Sequence, residues 1–233
     1  MPHGDMTRRQ AITVYGNFSR IRSDRHGVLI MRLMMAANDI SLANWSMTRF
    51  QGDLPRMERH MRAGAVQYFV RLMCGHLNEA VGLIEAIRRE PDLVSLIIRC
   101  SPEARRAYQR LCDCLPKGKD RVYFGDSVVR LRNKVAFHYD PDHVHQSLAD
   151  VTSEPSVPLA KITLGTDYYL SRFNLADALM DSIVVRQVMR IPVGSDIRAE
   201  SARFEAFVNE KSISFLRFVS EFATNYVRKF ASA

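Results

Sequence analysis

The sequence has few of the residues that build covalent or metal-bound frameworks. Its 233 residues include only four cysteines, and their spacing is not that of a zinc site. Cys112 and Cys114 are separated by a single residue, and no histidine pair completes a ligand set. We therefore expect reduced cysteines that pack as small apolar side chains, as is usual in an intracellular protein.

Long apolar runs are also missing. The most apolar early segment, residues 28–37, contains Arg32 and is too short to span a bilayer. The basic residues near the N-terminus are not followed by the apolar run of a secretory signal. These features predict a cytoplasmic protein that has no membrane partner. The chain contains no phosphate-binding loop, dinucleotide fingerprint or serine elbow, so we expect no cofactor.

Lysine is scarce, whereas arginine is abundant. Of the 33 basic residues only six are lysine, and the formal net charge is +8. Residues 1–120 carry 19 basic and 12 acidic side chains, whereas residues 121–233 carry 14 and 13. Guanidinium groups bind phosphates in a bidentate manner and stack on bases, so the arginine-rich first half suits an RNA partner. The same composition is equally typical of a GC-rich genome and a solvated surface.

Apolar residues spaced three and four apart dominate the chain and predict helices. The main helical segments are residues 24–51, 57–90, 101–115, 120–139, 175–191 and 197–231. The sequence thus predicts an all-α fold, an antiparallel bundle of long helices with one small extended or β-hairpin insert around residues 155–170. Residues 1–23 lack a sustained period and are expected to form a loose arm, with residues 24–233 as one helical domain.

Side chains suited to chemistry crowd together in the segment LRNKVAFHYD, residues 131–140. It places Arg132, Asn133, His138 and Tyr139 near the end of a predicted helix. Arg132 and His138 are about 120° apart around a helix and share no strict face. Tyr139 lies nearly above Arg132. Chemistry at this motif is therefore expected to need an opposing copy of the chain.

An arginine, a polar residue and a histidine four to six positions further on resemble the HEPN superfamily, a group of all-helical proteins. The resemblance covers the motif and its helical context, about residues 60–190, whereas the long helix over 197–231 lies outside the family core. Active members are metal-independent ribonucleases that work as dimers with their motifs facing one another. The resemblance implies an endoribonuclease of toxin or defence type, with RNA as substrate, a homodimeric state and an antitoxin protein as a candidate partner.

The resemblance also assigns roles to individual residues. His138 would act as general acid or base around attack of a ribose 2′-hydroxyl on the adjacent phosphate. Arg132 would hold that phosphate and offset its charge in the transition state, and Asn133 would orient a group or donate a hydrogen bond. The candidate substrate-binding residues are Arg130, Lys134 and Tyr139, the last as a stacking platform for a base.

Two alternatives remain open. Many family members bind or dimerise without catalysis, so a HEPN-like module that binds RNA or protein fits the same residues. The other alternative is a metal-dependent hydrolase that uses the run His138, Asp140, His143 and His145. This run has no fixed helical geometry and no second ligand cluster, so no metal is expected. Asp140 and Asp142 are more simply interpreted as helix caps.

Overall fold

The computed structural model describes residues 13–51, 62–134, 141–152, 162–163, 172–192 and 195–230. The protein is all-α, as the sequence predicts. Its helices, including two π-helical stretches named π1 and π2, are α1 (Phe18–Ser23), α2 (Gly27–Gln51), α3 (Arg62–Arg88), α4 (Pro91–Ile98), α5 (Pro102–Cys112), α6 (Arg121–Phe124), π1 (Gly125–Val129), α7 (Arg130–Lys134), α8 (Pro141–Thr152), α9 (Asn174–Ser182), π2 (Ile183–Val188) and α10 (Ile197–Arg228). In these described ranges, no helix is both long and apolar enough to cross a membrane.

A short extended pair occupies the region of the predicted insert. Strand β1 (Ile162–Thr163) pairs antiparallel with β2 (Arg172–Phe173), with Ile162 opposite Phe173. The residues that join the two strands lie outside the described ranges. The hairpin around residues 155–170 therefore stays a prediction.

Local sequence explains where several helices begin and turn. Ser101 caps α5 because its hydroxyl accepts a hydrogen bond from the backbone nitrogen of Ala104, and proline fills the first helical position. Between α5 and α6 the chain turns through Lys117, which has a φ of 70°. At the next residue, Gly118, a Cβ would lie 2.2 Å from the carbonyl oxygen of Asp113. Only glycine fits this turn.

Helices α2 and α3 pack against each other in opposite directions. Three contacts give the order: His26 with Glu90, Asp39 with His76, and Phe50 with Phe69. The shared interior is filled by apolar side chains that are fully buried, among them Ile30, Leu33, Ile40, Met73, Leu77 and Ile84. This pair forms the platform on which the later helices rest.

Helix α10 runs back along α5 and closes the core with aromatic side chains. The rings of Tyr108 and Phe218 lie 5.1 Å apart, and Phe218 stacks on Phe222 at 4.9 Å. Lys211 is buried among these helices, and its Nζ lies 2.6 Å from Oδ2 of Asp120. A buried ammonium is tolerated here because a carboxylate neutralises it.

Part of the segment predicted as a loose arm is helical. Residues 18–23 form α1, which Asn17 caps and whose Ile21 side chain is buried in the core. The backbone nitrogen of Asn17 donates to the carbonyl oxygen of Phe230, and the Tyr226 hydroxyl donates to Oδ1 of Asp24 at 2.5 Å. These bonds tie α1 to the end of α10. The division into an arm and one helical domain otherwise stays a prediction.

Candidate functional site

Arg132 and Asn133 lie on the surface at the end of the helical run α6–π1–α7. The preceding residue, Leu131, is fully buried and anchors this turn in the core. The side chain of Arg132 is 44% exposed, and Asn133 and Lys134 are exposed as well. The fold therefore presents three of the predicted site residues to solvent, next to one another.

Two acceptors hold the Arg132 guanidinium. Nη1 donates to Oδ1 of Asn133 at 3.1 Å, and Nη2 donates to Oε1 of Glu79 on α3 at 3.4 Å. The Glu79 side chain is itself 58% exposed. An exposed ion pair of this kind stabilises a protein by only about 0–1 kcal/mol, so a phosphate can displace Glu79 from Arg132 at small cost. The arrangement suits a guanidinium that binds an anion.

Arg130 points in another direction. Its Nη1 donates to the carbonyl oxygen of Val188 at 3.3 Å, and its Nη2 donates to Oδ1 of Asp126 at 3.0 Å. The side chain is 27% exposed, less than that of Arg132. Arg130 thus anchors α7 to π2, and of the two arginines it is the less accessible to a substrate.

The two π-helical stretches are both connected to α7. π1 directly precedes α7, and Val188 of π2 accepts the bond from Arg130. Gln187 of π2 donates to the carbonyl oxygen of His143 at 3.0 Å and to Oγ of Ser147 at 2.8 Å, both in α8. π2 therefore fixes the two helices on either side of residues 135–140. Single π-helical turns occur frequently at functional sites.

His138 and Tyr139 fall within residues 135–140, which lie outside the described ranges. Their geometry relative to Arg132 therefore stays a prediction. In the run considered for a metal, Asp140 lies in the same stretch, whereas His143 is half-buried and His145 is exposed. Among the residues that the structure describes, no group of three or more histidine, cysteine, aspartate or glutamate side chains could hold a metal ion.

A groove of about 380 Å³ opens beside the Arg132 site. Its polar lining consists of Arg32, Asn78, Glu79, Glu85 and Arg121. Gly82 of α3 also lines the groove, and a Cβ there would meet no atom within 4 Å. Arg32 and Arg121 are exposed, and neither has an ion-pair partner in the part of the chain with described coordinates. The groove thus combines open space with two uncompensated guanidinium groups.

Sequence reasoning did not identify Glu79 or Arg121 as site residues. Glu79 is 53 positions from Arg132 in the chain, and only the packing of α7 on α3 brings the two together. The one available signal was Gly82, because a glycine inside a helical pattern often has a packing or functional reason. By itself that signal does not identify a groove.

The cysteines are not candidates for a nucleophile. Cys74, Cys100 and Cys114 are buried, Cys112 is half-buried, and none forms a disulfide. Burial raises the pKa of Cys74 and raises the pKa of Cys114 to about 12. The thiolate is the reactive species, so these thiols are inert near neutral pH. They pack as small apolar side chains, as predicted.

Comparisons with known proteins give no significant match. No family model matches the chain, and no curated protein or solved structure is significantly similar to it. The resemblance to the HEPN superfamily therefore rests on the motif from Arg132 to His138 and its helical context. Function has to be argued from the site itself.

Proposed function

We propose that the protein is a metal-independent endoribonuclease of the HEPN type that acts as a dimer in a toxin or defence system. The main support for the proposal is that the Arg132 guanidinium is half-exposed at the end of a helix. Its partners are an adjacent asparagine and an exposed glutamate, both of which an incoming phosphate can replace. In the sequence His138 follows Arg132 by six residues, the spacing on which the resemblance to the HEPN motif rests.

The proposed reaction needs only side chains and RNA. His138 of one copy takes the proton from a ribose 2′-hydroxyl as that oxygen attacks the adjacent phosphorus. The bond from phosphorus to the 5′-oxygen breaks, and the second His138 donates a proton to that oxygen. Arg132 binds the non-bridging oxygens and stabilises the charge that builds on them. Asn133 orients Arg132, a role that its hydrogen bond to Nη1 supports.

The groove beside Glu79 offers a path for the RNA strand. Arg121 lines it without a carboxylate partner among the described residues, so its guanidinium is available to a phosphate. Lys134 is exposed directly after Arg132 and Asn133. We assign the phosphates that flank the cleaved bond to Arg121 and Lys134, and a stacked base to Tyr139.

We also propose that the helices form an antiparallel bundle with residues 155–170 as a hairpin insert. The reversed contact order of α2 and α3 supports the bundle. The pairing of Ile162 with Phe173 supports the insert.

A HEPN-like module that binds RNA or protein without cleaving it is the second candidate. The exposed guanidinium of Arg132 supports it equally, because it can bind a phosphate without any cleavage beside it. Such a module would keep the same groove and the same exposed arginines. The two candidates differ in whether His138 acts as a general acid and base in RNA cleavage.

The test is incubation of the purified protein with a mixed RNA pool in EDTA. We expect cleavage products that carry 2′,3′-cyclic phosphate ends, and we expect His138→Ala to abolish them. The variant His145→Ala separates the mechanisms, because it removes a ligand of the alternative metal site and no group of the proposed one. RNA left intact in EDTA but cut after metal addition contradicts the proposal. Salt-sensitive RNA binding without cleavage, unchanged in His138→Ala, indicates the binding module.

A further inference from the structure

Helix α2 is apolar on two opposite faces. One face is buried in the core through residues such as Leu33 and Ile40. The other face carries large apolar side chains that are 73%, 65%, 64% and 61% exposed, namely Val28, Met35, Leu42 and Trp45. Contiguous exposed apolar patches of more than a few hundred Å² are rare on monomers and mark interaction sites.

These exposed residues follow a heptad repeat. The a positions are Val28, Met35 and Leu42, all exposed, and the d positions are Met31, Asn38 and Trp45, of which Met31 is half-buried. We call these six residues the α2 seam. Five of the six are apolar, which is the pattern of one strand of a two-stranded coiled coil. The helix spans 25 residues, enough for three full heptads.

We propose that the α2 seam binds a second copy of this chain, with the two α2 helices antiparallel about a two-fold axis. Such an interface is isologous, so the same residues serve both sides. In an antiparallel coiled coil the a positions of one helix face the d positions of the other. The facing pairs are then Val28 with Trp45, Met31 with Leu42, and Met35 with Asn38.

The charges that flank the seam match this arrangement. Arg32 and Asp39 occupy e positions, and in antiparallel coiled coils e positions face e positions of the partner helix. Arg32 of each copy therefore meets Asp39 of the other, which gives two ion pairs per dimer. Asp39 is 56% exposed, and Arg32 has no ion-pair partner within the described ranges.

A parallel pair would place the e positions opposite g positions instead. The g positions of α2 are Gly27, Met34, Ser41 and Thr48, none of which is charged. Arg32 and Asp39 would then have no opposite charge to meet across the interface. The charge pattern therefore favours the antiparallel dimer.

The size of the seam is sufficient for a specific but modest dimer. The 25 residues of α2 give a rod of about 37 Å. Two seams and their flanking charges bury on the order of 1,000 Å² in total, at the lower limit of specific interfaces. We therefore expect an equilibrium between monomer and dimer that dilution can shift.

The two-fold axis passes beside the Arg132 site. It runs between the two α2 helices, at the level midway between Met35 and Asn38. Because Asp39 lies beside His76, the antiparallel packing puts Glu79, the partner of Arg132, level with this midpoint. Arg32 and Asp39 border α3, so the two copies of Arg132 flank the axis on one side of the dimer. This consequence for catalysis rests on the proposed ribonuclease function, whereas the seam itself does not.

Trp45 makes the seam directly observable, because it is the only tryptophan in the chain. We expect its emission to shift to shorter wavelength as the concentration rises, in parallel with a doubling of mass in light scattering. Met35→Glu and Leu42→Glu should raise the dissociation constant about 30-fold or more. Both positions are exposed, so the monomer should keep its fold and helical circular dichroism. The matched control is Ile98→Glu on α4, which is 68% exposed and should leave the dimer intact.

Two further variants test the register. Arg32→Asp and Asp39→Arg should each weaken the dimer, and the double exchange should restore it. An oxidised mixture of Met31→Cys and Leu42→Cys should form a cross-linked dimer, whereas either variant alone should not. The native cysteines 74, 100 and 114 are buried, and the half-buried Cys112 is replaced by serine in both variants. Self-linking of Leu42→Cys alone indicates a parallel pair and overturns the register.

The dimer and cleavage measurements distinguish an error in the α2 seam proposal from an error in the ribonuclease proposal. A chain that is monomeric at every concentration, or a dimer that Met35→Glu does not weaken, overturns the seam whatever the activity. A dimer that Met35→Glu breaks, with no RNA cleavage by the unaltered protein, supports the seam and rejects the ribonuclease. If the seam and the ribonuclease proposals are both right, the Met35→Glu variant does not cleave RNA at concentrations where it is monomeric. Its cleavage activity returns at concentrations high enough to restore the dimer.

Discussion

Two cations of this protein, Lys211 in α10 and Arg132 in α7, occupy opposite environments. The Lys211 side chain is 2% exposed, and its Nζ lies 2.6 Å from Asp120 and donates to the carbonyl oxygen of Arg110. The Arg132 side chain is 44% exposed, and its contact with Glu79 is 3.4 Å long. Between α5 and α10 the buried cation is neutralised internally. The side built by α3 and α7 leaves a cation available to an external anion.

The largest effect on stability is expected when the buried cation, Lys211, is removed. We expect Lys211→Met to lower the free energy of unfolding by about 3 kcal/mol, because Asp120 is then left without its counter-charge. Urea unfolding followed by circular dichroism measures the loss. The double variant with Asp120→Asn should recover part of it. A loss below about 1 kcal/mol would mean that the pair is less important than its burial suggests.

Removing the exposed cation, Arg132, should lower RNA cleavage and leave stability nearly unchanged. We expect Arg132→Ala to change the free energy of unfolding by less than about 1 kcal/mol and to lower RNA cleavage about 100-fold or more. Arg132→Lys keeps the charge but not the bidentate geometry and should fall between the two. The matched control is Arg106→Ala, which breaks an exposed pair with Glu103 and should leave cleavage unchanged. Equal cleavage by Arg132→Ala and the unaltered protein would exclude a role in catalysis.

A third variant tests how α10 holds the start of α5. Glu221 accepts hydrogen bonds from the backbone nitrogen and the hydroxyl of Ser101, each at 2.6 Å. Glu221→Ala removes both acceptors at a helix N-terminus, so we expect a loss of about 1–2 kcal/mol in the free energy of unfolding. Thermal unfolding of Glu221→Ala and Glu221→Gln provides the measurement. A smaller loss in Glu221→Gln is expected, because its amide keeps one acceptor oxygen.

The smallest expected effect is a change in stability at acidic pH. Burial raises the pKa of Asp24, but hydrogen bonds from Tyr226 and the backbone of His26 outweigh it, so the pKa is lowered overall. A carboxylate with a lowered folded pKa contributes stability above its unfolded pKa of about 3.9, and this contribution is lost as the pH falls through the folded value. The stability difference between the unaltered protein and Asp24→Asn should therefore shrink below about pH 4. A difference that stays constant down to pH 3 would contradict the assignment.

Much of the fold was predictable because helix signals in this chain are local. Ser101 followed by proline marks the start of α5, and the structure begins that helix at Pro102. The long apolar pattern near the C-terminus predicts a helix over 197–231, and α10 covers Ile197–Arg228. Caps and apolar spacing depend on neighbouring residues only, so they are visible without the tertiary structure.

The site was less predictable because it depends on contacts distant in sequence. Arg130 and Arg132 have the same chemistry, yet one anchors π2 and the other faces solvent. Apolar spacing does not distinguish a π-helical turn from an α-helical one, so neither π1 nor π2 was foreseen. The seam was hidden for a related reason. Methionines 31, 34 and 35 fit a core or an adaptable interface equally well, and only burial assigns Met35 to the exposed face.

Gly82 carries a consequence for how this protein can be controlled. A glycine inside a helix forgoes about 1 kcal/mol of stability relative to alanine, and nothing within 4 Å would obstruct a side chain here. The wall of the groove at Gly82 therefore has room for an added side chain. A cysteine introduced at this position would accept a bulky thiol reagent and plug the groove while α3 became slightly more stable. Position 82 is thus a place at which the groove can be blocked chemically, so that its proposed role in RNA binding can be tested.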